Sequence, residues 1–219
     1  MMRIVLASSS PRRRELLARA GIRFNVVEPP EDAPVPPGVC ADLAVQLIAR
    51  QKAVAVAGNV QAGAYVLAAD TMVVGPHGPL GKPHTAERAR TMLTDLRGRR
   101  HTVLTGVCAM RAGSDDEALG VSRSAVKMHD FSDEDISRYI ATGEPLDRAG
   151  GYAIQGGAAD FVEAVGGRVD TVIGLDVKLA LHLLTEAGYP DPLPLPSDVS
   201  LTPPRVRRPL TPMRAPSRV

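Results

Sequence analysis

The sequence predicts an α/β fold. Three observations carry this expectation. Short apolar runs at 3–7 and 65–69 read as buried strands, and segments of helical spacing at 12–20 and 41–57 lie between them. Gly and Pro mark the junctions, as at Pro11, Gly21, Gly98 and Gly143. Apolar residues make up 44% of 219 positions, enough for a sizeable core, while aromatics are only 3%, so that core must rest on Leu, Val, Ile and Ala.

The elements follow in order. Residues 3–7 form a first strand, and Ser8-Ser9-Ser10-Pro11 turns into a helix over 12–20, with Ser10 as N-cap and Pro11 in the first turn. Leu16 and Leu17 face inward and Gly21 stops the helix. A strand, a serine-rich turn and a helix start crowded by Arg12, Arg13 and Arg14 make a candidate anion site. A well-capped surface helix with solvated arginines fits these residues equally well. No GxxxxGK[ST] is present, so this is not a Walker loop. Residues 24–27 read as a second strand, followed by the acidic, proline-rich loop Glu28-Pro-Pro-Glu31-Asp32. The helix at 41–57 has Leu43, Leu47 and Ile48 apolar at helical spacing and carries Lys52 in its second half, where a lone lysine is ordinarily solvated.

The stretch YVLAADTMVVGPHGPLGKP, 65–83, stands apart. An apolar run stops at Asp70 and Thr71, resumes as Met72-Val73-Val74, turns over at 75–79 and returns to Lys82. A carboxylate in an apolar strand is costly unless it is paired, hydrogen-bonded or bound to metal, so Asp70 is the first candidate for chemistry.

Beyond it, Thr85 caps a helix over 86–97 with Met92, Leu93 and Leu96 inward, and Gly98 ends it. Residues 101–112 and 119–129 read as strands. Ser132 to Asp135 reads as a capping box opening a short helix that Gly143 closes. The glycine-dense turn at 149–157 lets backbone approach a ligand and carries Gln155, which offers both a donor and an acceptor. Residues 158–173 read as a hairpin turning at Gly166-Gly167, and a last helix runs from 174 to 184, stopped by Gly188. From 189 to 219 periodicity is lost. Nine of the last thirty residues are proline, which predicts an extended or disordered tail outside a domain of residues 1–188.

Charge and composition narrow the function. The net charge is +2, but five arginines beyond Pro190 against Asp191 and Asp198 leave the body at −1. A nearly neutral body with few aromatic platforms argues against a nucleic-acid binder. Cys40 and Cys108 stand apart without metal-ligand spacing and read as free thiols in a reducing compartment. The first apolar run is too short for a signal peptide, and no 18-residue apolar run spans a membrane. A cytoplasmic protein is expected.

Four pieces, LASSSPRRRELL (6–17), AADT (68–71), GKP (81–83) and GYAIQG (151–156), resemble the Maf family of nucleoside-triphosphate pyrophosphatases, also known by its link to septum formation. The resemblance covers roughly residues 2–188. It implies a Maf/ITPase-like α/β fold, in which a long, curved mixed sheet with helices forms two lobes around a central nucleotide cleft, often as a homodimer. It implies hydrolysis of a nucleoside triphosphate to monophosphate and pyrophosphate with a divalent cation, Mg²⁺ or Mn²⁺. By position Asp70 matches the catalytic acid, Lys52 and Lys82 the lysines around the phosphates, and Ser8, Arg12 and Arg13 the phosphate-loop motif. Arg12, Thr71 and Gln155 stand at the positions that separate substrate subgroups. They look like the subgroup acting on dTTP and UTP, since the one preferring 7-methyl-GTP carries Trp, Gln and Glu there. The family's Asp-Glu pair after the second strand is reversed here as Glu31-Asp32, so Asp32 fills the helper's place with a shorter acid.

On this reading Asp70, with Asp32 or Glu31, holds the metal and steers water to the α-phosphorus, while Arg12, Arg13, Lys52 and Lys82 neutralise the phosphates. Asp70 as general base and Asp70 as metal ligand both fit the sequence. The alternative is a nucleotide-binding regulator of cell division with little turnover. A nucleic-acid role for the arginine-bearing tail is a third reading, with steep salt dependence.

Overall fold

The computed structural model describes residues 3–32 and 34–194. A seven-stranded mixed sheet is ordered β2-β1-β3-β5-β6-β7, with β4 also paired to β3. The chain runs β1 (Ile4–Ala7), α1 (Pro11–Arg19), β2 (Phe24–Val27), α2 (Ala41–Ala57), β3 (Tyr65–Gly75), β4 (Gly78–Leu80) and α3 (Ala86–Leu96). It continues through β5 (Arg100–Arg111), β6 (Glu117–Met128), α4 (Asp133–Ala141), β7 (Val162–Gly166), α5 (Val169–Ile173) and α6 (Val177–Glu186). The expected α/β class holds. Strand β1 is parallel to both β2 and β3, and the remaining pairings are antiparallel.

The register of β3 makes the site. On one side β5 pairs with it from Tyr65 to Val74. On the other side β1 ends opposite Ala68, and β4 pairs only from Val73. Residues 69–72 therefore have an open edge, and the chain leaves β1 there through Ser8-Ser9-Ser10. Alternation along β3 does the rest. Val66 and Ala68 join the apolar cluster beneath α2, while Leu67, Ala69 and Val73 join the larger cluster on the opposite face. Asp70 and Thr71, successive residues at the gap, thus point to different faces.

Helix α2 lies across β3 and β5. Its buried residues are Ala44, Val45, Ala49, Ala53 and Val56. The apolar positions noted at helical spacing are not its buried face: Leu43 is 47% exposed, and Leu47 and Ile48 are only partly buried. Gly106 explains this. A Cβ there would lie 2.4 Å from the carbonyl group of Val45. The helix backbone sits directly on the strand, so only small side chains fit between them.

Three further expectations are corrected. Ser10 holds the N-cap position of α1, but its side chain makes no capping bond. Instead Ser8 Oγ accepts the Ser10 N–H at 3.1 Å. The second limb of the expected 158–173 hairpin is the short helix α5, and β7 pairs with β6. Buried Asp170 overrides the β-branched run. Its carboxylate takes a two-pronged contact from Arg168 at 2.9 and 2.6 Å and accepts the N–H groups of Thr171 and Val177. The packed body also extends past 188. Tyr189 packs edge-on against Tyr65 at 5.1 Å, and Leu193 lies against the core. The rest of the expected tail, 195–219, lies outside the described residues.

Candidate active site

The gap in β3 opens into a cleft of about 510 Å³. One wall is the β1–α1 turn with Ser9, Ser10, Arg12 and Arg13. A second is the loop after β2 with Pro29, Pro30, Glu31 and Asp32. The floor holds Asp70, Thr71, Val73 and Val103, and the far side holds Lys82, Asp147, Arg148 and the turn that carries Gln155. Five cationic side chains face four carboxylates, so the cleft carries a slight positive excess suited to a polyanion bound with a cation.

At the floor, Lys52 Nζ donates to Asp70 Oδ1 at 2.7 Å and lies 3.2 Å from Asp32 Oδ2. Lysine and Asp70 are nearly enclosed, with side chains 12% and 16% exposed. The lone lysine of α2 is therefore no solvated surface group: the face-alternation of β3 turns Asp70 toward the helix that bears it. Asp32 reaches the couple despite its shorter side chain.

On the opposite side of the strand, Arg13 is locked in place. Its Nε donates to the Gly174 carbonyl at 2.8 Å and one terminal nitrogen to Thr71 Oγ1 at 3.2 Å. Thr105 spends its hydroxyl proton on the Thr171 carbonyl at 2.8 Å. The single Thr71 proton has two acceptors in reach, Thr105 Oγ1 at 3.0 Å and the Gly174 carbonyl at 3.4 Å, and a Thr71 lone pair accepts from Arg13. Thr71 is thus the seat of Arg13. Desolvation lowers the Arg13 pKa, opposed by the negative charges of Asp70 and Asp32.

Other expected residues are placed unevenly. Lys82 lines the cleft but pairs with Asp147 at 2.6 Å, not with Asp70, and this hydrogen bond holds the Asp147 pKa below its usual value. Ser8 is buried, 1% exposed, and supports the loop from beneath through Ser10. Gln155 lines the cleft and is exposed. Its turn is held at both ends. Tyr139 hydroxyl accepts the Ala153 N–H at 3.1 Å, and Glu144 Oε2 accepts the Gly157 N–H at 2.8 Å. A Cβ on Gly156 would fall 2.0 Å from Glu144 Oε1, so a larger residue there would push the carboxylate aside. Sequence reasoning missed Asp147 and Arg148. The only signal was their position just before the glycine turn, with no periodicity to mark them.

Beneath the cleft, His101 Nε2 lies 2.7 Å from the Tyr152 hydroxyl, and its Nδ1 is buried without a partner among the described residues. Burial pushes the His101 pKa down to about 4. The unfolded chain therefore takes up this proton near pH 6.5 while the folded chain stays neutral, so the stability present above about pH 6.5 is lost as pH falls toward 4, by about 3 kcal/mol. A His101→Gln variant should show a flatter melting-temperature profile between pH 7 and 4.5, read by thermal unfolding.

Among the described residues no group of three or more His, Cys, Asp or Glu is placed to hold an ion. Two carboxylates, Asp70 and Asp32, nevertheless converge on one ammonium. Mg²⁺ is commonly held by one or two carboxylates with substrate phosphates and water completing its shell. The hard oxygen donors present fit an ion that arrives with a phosphate substrate.

A carboxylate–lysine couple beside an arginine-lined helix start, at an interrupted strand edge, defines an α/β protein built to hold a phosphorylated ligand. Residues 3–187 match the family model described as Maf-like protein, and the chain belongs to that family. It is 48% identical over 195 residues to the dTTP/UTP pyrophosphatase of Anaeromyxobacter dehalogenans (strain 2CP-C), covering 87% of this chain and 96% of the relative. The Myxococcus xanthus (strain DK1622) protein of that name is 47% identical over 189 residues, with 86% and 94% covered. The one from Thermomicrobium roseum is 43% identical over 218 residues, 99% of this chain and 98% of its own, so that match runs on through the proline-rich end. Among the described residues no helix is long and apolar enough to cross a membrane.

Proposed function

We propose that this chain is a nucleoside-triphosphate pyrophosphatase that hydrolyses dTTP and UTP to the monophosphate and pyrophosphate. The observation that carries the reaction is the Asp70–Lys52 couple, 2.7 Å apart, at the floor of a cation-rich cleft. The pyrimidine preference rests on the relatives of that name and on Thr71 and Gln155. The catalytic unit is residues 1–188 with 189–194 packed against it, working as a homodimer in the cytoplasm.

The residues divide the work. Asp70 takes the proton from a water aimed at the α-phosphorus, and Lys52 holds that carboxylate in position. Arg13, braced by Gly174 and Thr71, presents a guanidinium to the phosphoryl oxygens without reorganising during the reaction. Lys82 leaves Asp147 to meet the phosphates. Asp70 with Asp32, and Glu31 at the rim, would hold Mg²⁺ or Mn²⁺, which when bound supplies charge neutralisation at the phosphoryl oxygens. Gln155, fixed by its clamped turn, offers an amide donor and acceptor that match the alternating carbonyl and N–H edge of thymine and uracil. Thr71 acts on selectivity through the seat it gives Arg13.

The test is pyrophosphate release across a panel of nucleoside triphosphates with Mg²⁺ or Mn²⁺. Release from dTTP and UTP above the purine nucleotides is expected, lost on chelation. Tight nucleotide binding with no release from any member would instead make the protein a nucleotide sensor.

A further inference from the structure

A second cavity of about 400 Å³ adjoins the cleft. Arg12, Arg148, Ala153 and Gln155 line both, so two guanidiniums frame the passage between them. Both arginines are partly buried. Among the described residues neither side chain makes a hydrogen bond or ion pair, and Arg148 Nε is buried without a partner. The nearby carboxylates are engaged elsewhere: Asp147 with Lys82, Glu144 with the Gly157 N–H and the Tyr139 hydroxyl, and Glu15 with Arg19. Desolvation lowers the Arg12 pKa, and the charges of Arg148 and then Arg13 lower it further, opposed by the negative charges of Glu144 and Asp147.

Two like charges on a partly desolvated wall, with donors unspent, are unfavourable unless an anion joins them. A neutral base carbonyl would accept a hydrogen bond but bring no negative charge to the two guanidiniums. Phosphate answers both needs, because a guanidinium fork matches its oxygens two at a time. We propose that Arg12 and Arg148 together bind the β,γ end of the triphosphate, the leaving pyrophosphate, which makes Arg148 a further substrate-binding residue. This rests on the pyrophosphatase reading above. The division of labour then becomes spatial: Lys52 and Arg13 serve the reacting phosphorus, and the arginine pair holds the group that departs. Binding that group neutralises the repulsion between the two arginines, so the pair favours the charged leaving group over the neutral end of the substrate.

Pyrophosphate alone, titrated calorimetrically against the full chain, isolates this site from turnover. Arg148→Gln is expected to weaken pyrophosphate binding about 10- to 100-fold, the usual effect of losing a hydrogen bond to a charged group. It should lower kcat/KM by a similar factor for every triphosphate hydrolysed, with dTMP binding unchanged. Arg148→Lys, which keeps the charge but not the fork, should recover part of the loss and guards against a misfolded glutamine variant. Unchanged pyrophosphate binding in both variants, or a loss of activity confined to one base, would overturn the proposal. Failure of the pyrophosphatase reading is distinguishable: no triphosphate would then turn over, while the pyrophosphate titration still reports on the arginine pair.

Discussion

Asp70→Asn is expected to reduce kcat for dTTP by about 10² to 10⁴-fold, the span a positioned general base contributes. The substitution keeps the shape of the side chain, and the amide oxygen can still accept from Lys52 at the 2.7 Å position the carboxylate holds. What is lost is the ability to take a proton and one negative charge. Removing that charge beside a bound triphosphate relieves repulsion, so KM should stay level or fall. A loss confined to kcat is the sign of an interaction made in the transition state. Metal titration separates the two roles open to the carboxylate. If Asp70 only held the cation, raising Mg²⁺ or Mn²⁺ would restore the rate; a proton acceptor is not replaced that way. Turnover near that of the unaltered chain would remove Asp70 from the chemistry.

Gly106→Ala should have the largest effect on stability. Its added Cβ would sit 2.4 Å from both the carbon and the oxygen of the Val45 carbonyl and 2.7 Å from the Gln46 nitrogen. These are backbone atoms of α2, so no rotamer change relieves them. Overpacking commonly costs about 1–3 kcal/mol, and a backbone clash of this depth belongs at the upper end, about 3 kcal/mol or more. For a chain of this size that lowers the melting temperature by on the order of 10 °C. Gly106 also pairs in register with Asp70, and α2 carries Lys52. Lifting the helix therefore pulls the lysine from its carboxylate, and activity should fall more than the folded fraction does. Gly120→Ala is the control. Its Cβ would meet only the side-chain ends of Leu179 and Leu183, at 2.9 and 3.3 Å, which can turn aside. Scanning calorimetry on the two variants should show a clearly smaller shift for Gly120→Ala.

These two sites show where sequence reading succeeds and where it stops. Asp70 was legible because a charge in an apolar strand violates the local pattern, and such violations mark function. The lysine on α2 was not legible from its own surroundings, since its partner lies on a strand 18 residues away. Only the motif resemblance raised it. Helix α2 itself was found at its full extent, but its buried face is not the one its most apolar positions, Leu43, Leu47 and Ile48, mark. The deciding fact was the bare backbone of Gly106, a tertiary contact with no trace in the helix sequence. The 169–173 segment failed differently. Val, Thr and Ile favour strand locally, and a buried carboxylate satisfied by Arg168 and two backbone N–H groups outweighs them. Thr71 was identified as a position that matters for substrate choice; that it seats Arg13 shows only in the contact between two side chains 58 positions apart. Arg148 escaped altogether, because an arginine before a turn resembles any surface arginine until the engagement of its neighbours is seen.

The central claim is attack by water on the α-phosphorus, with pyrophosphate leaving. Hydrolysis of dTTP in oxygen-18-labelled water, followed by mass spectrometry of both products, tests it most directly. The label is expected in the monophosphate, with pyrophosphate unlabelled. Label in pyrophosphate, or release of orthophosphate in its place, would contradict it.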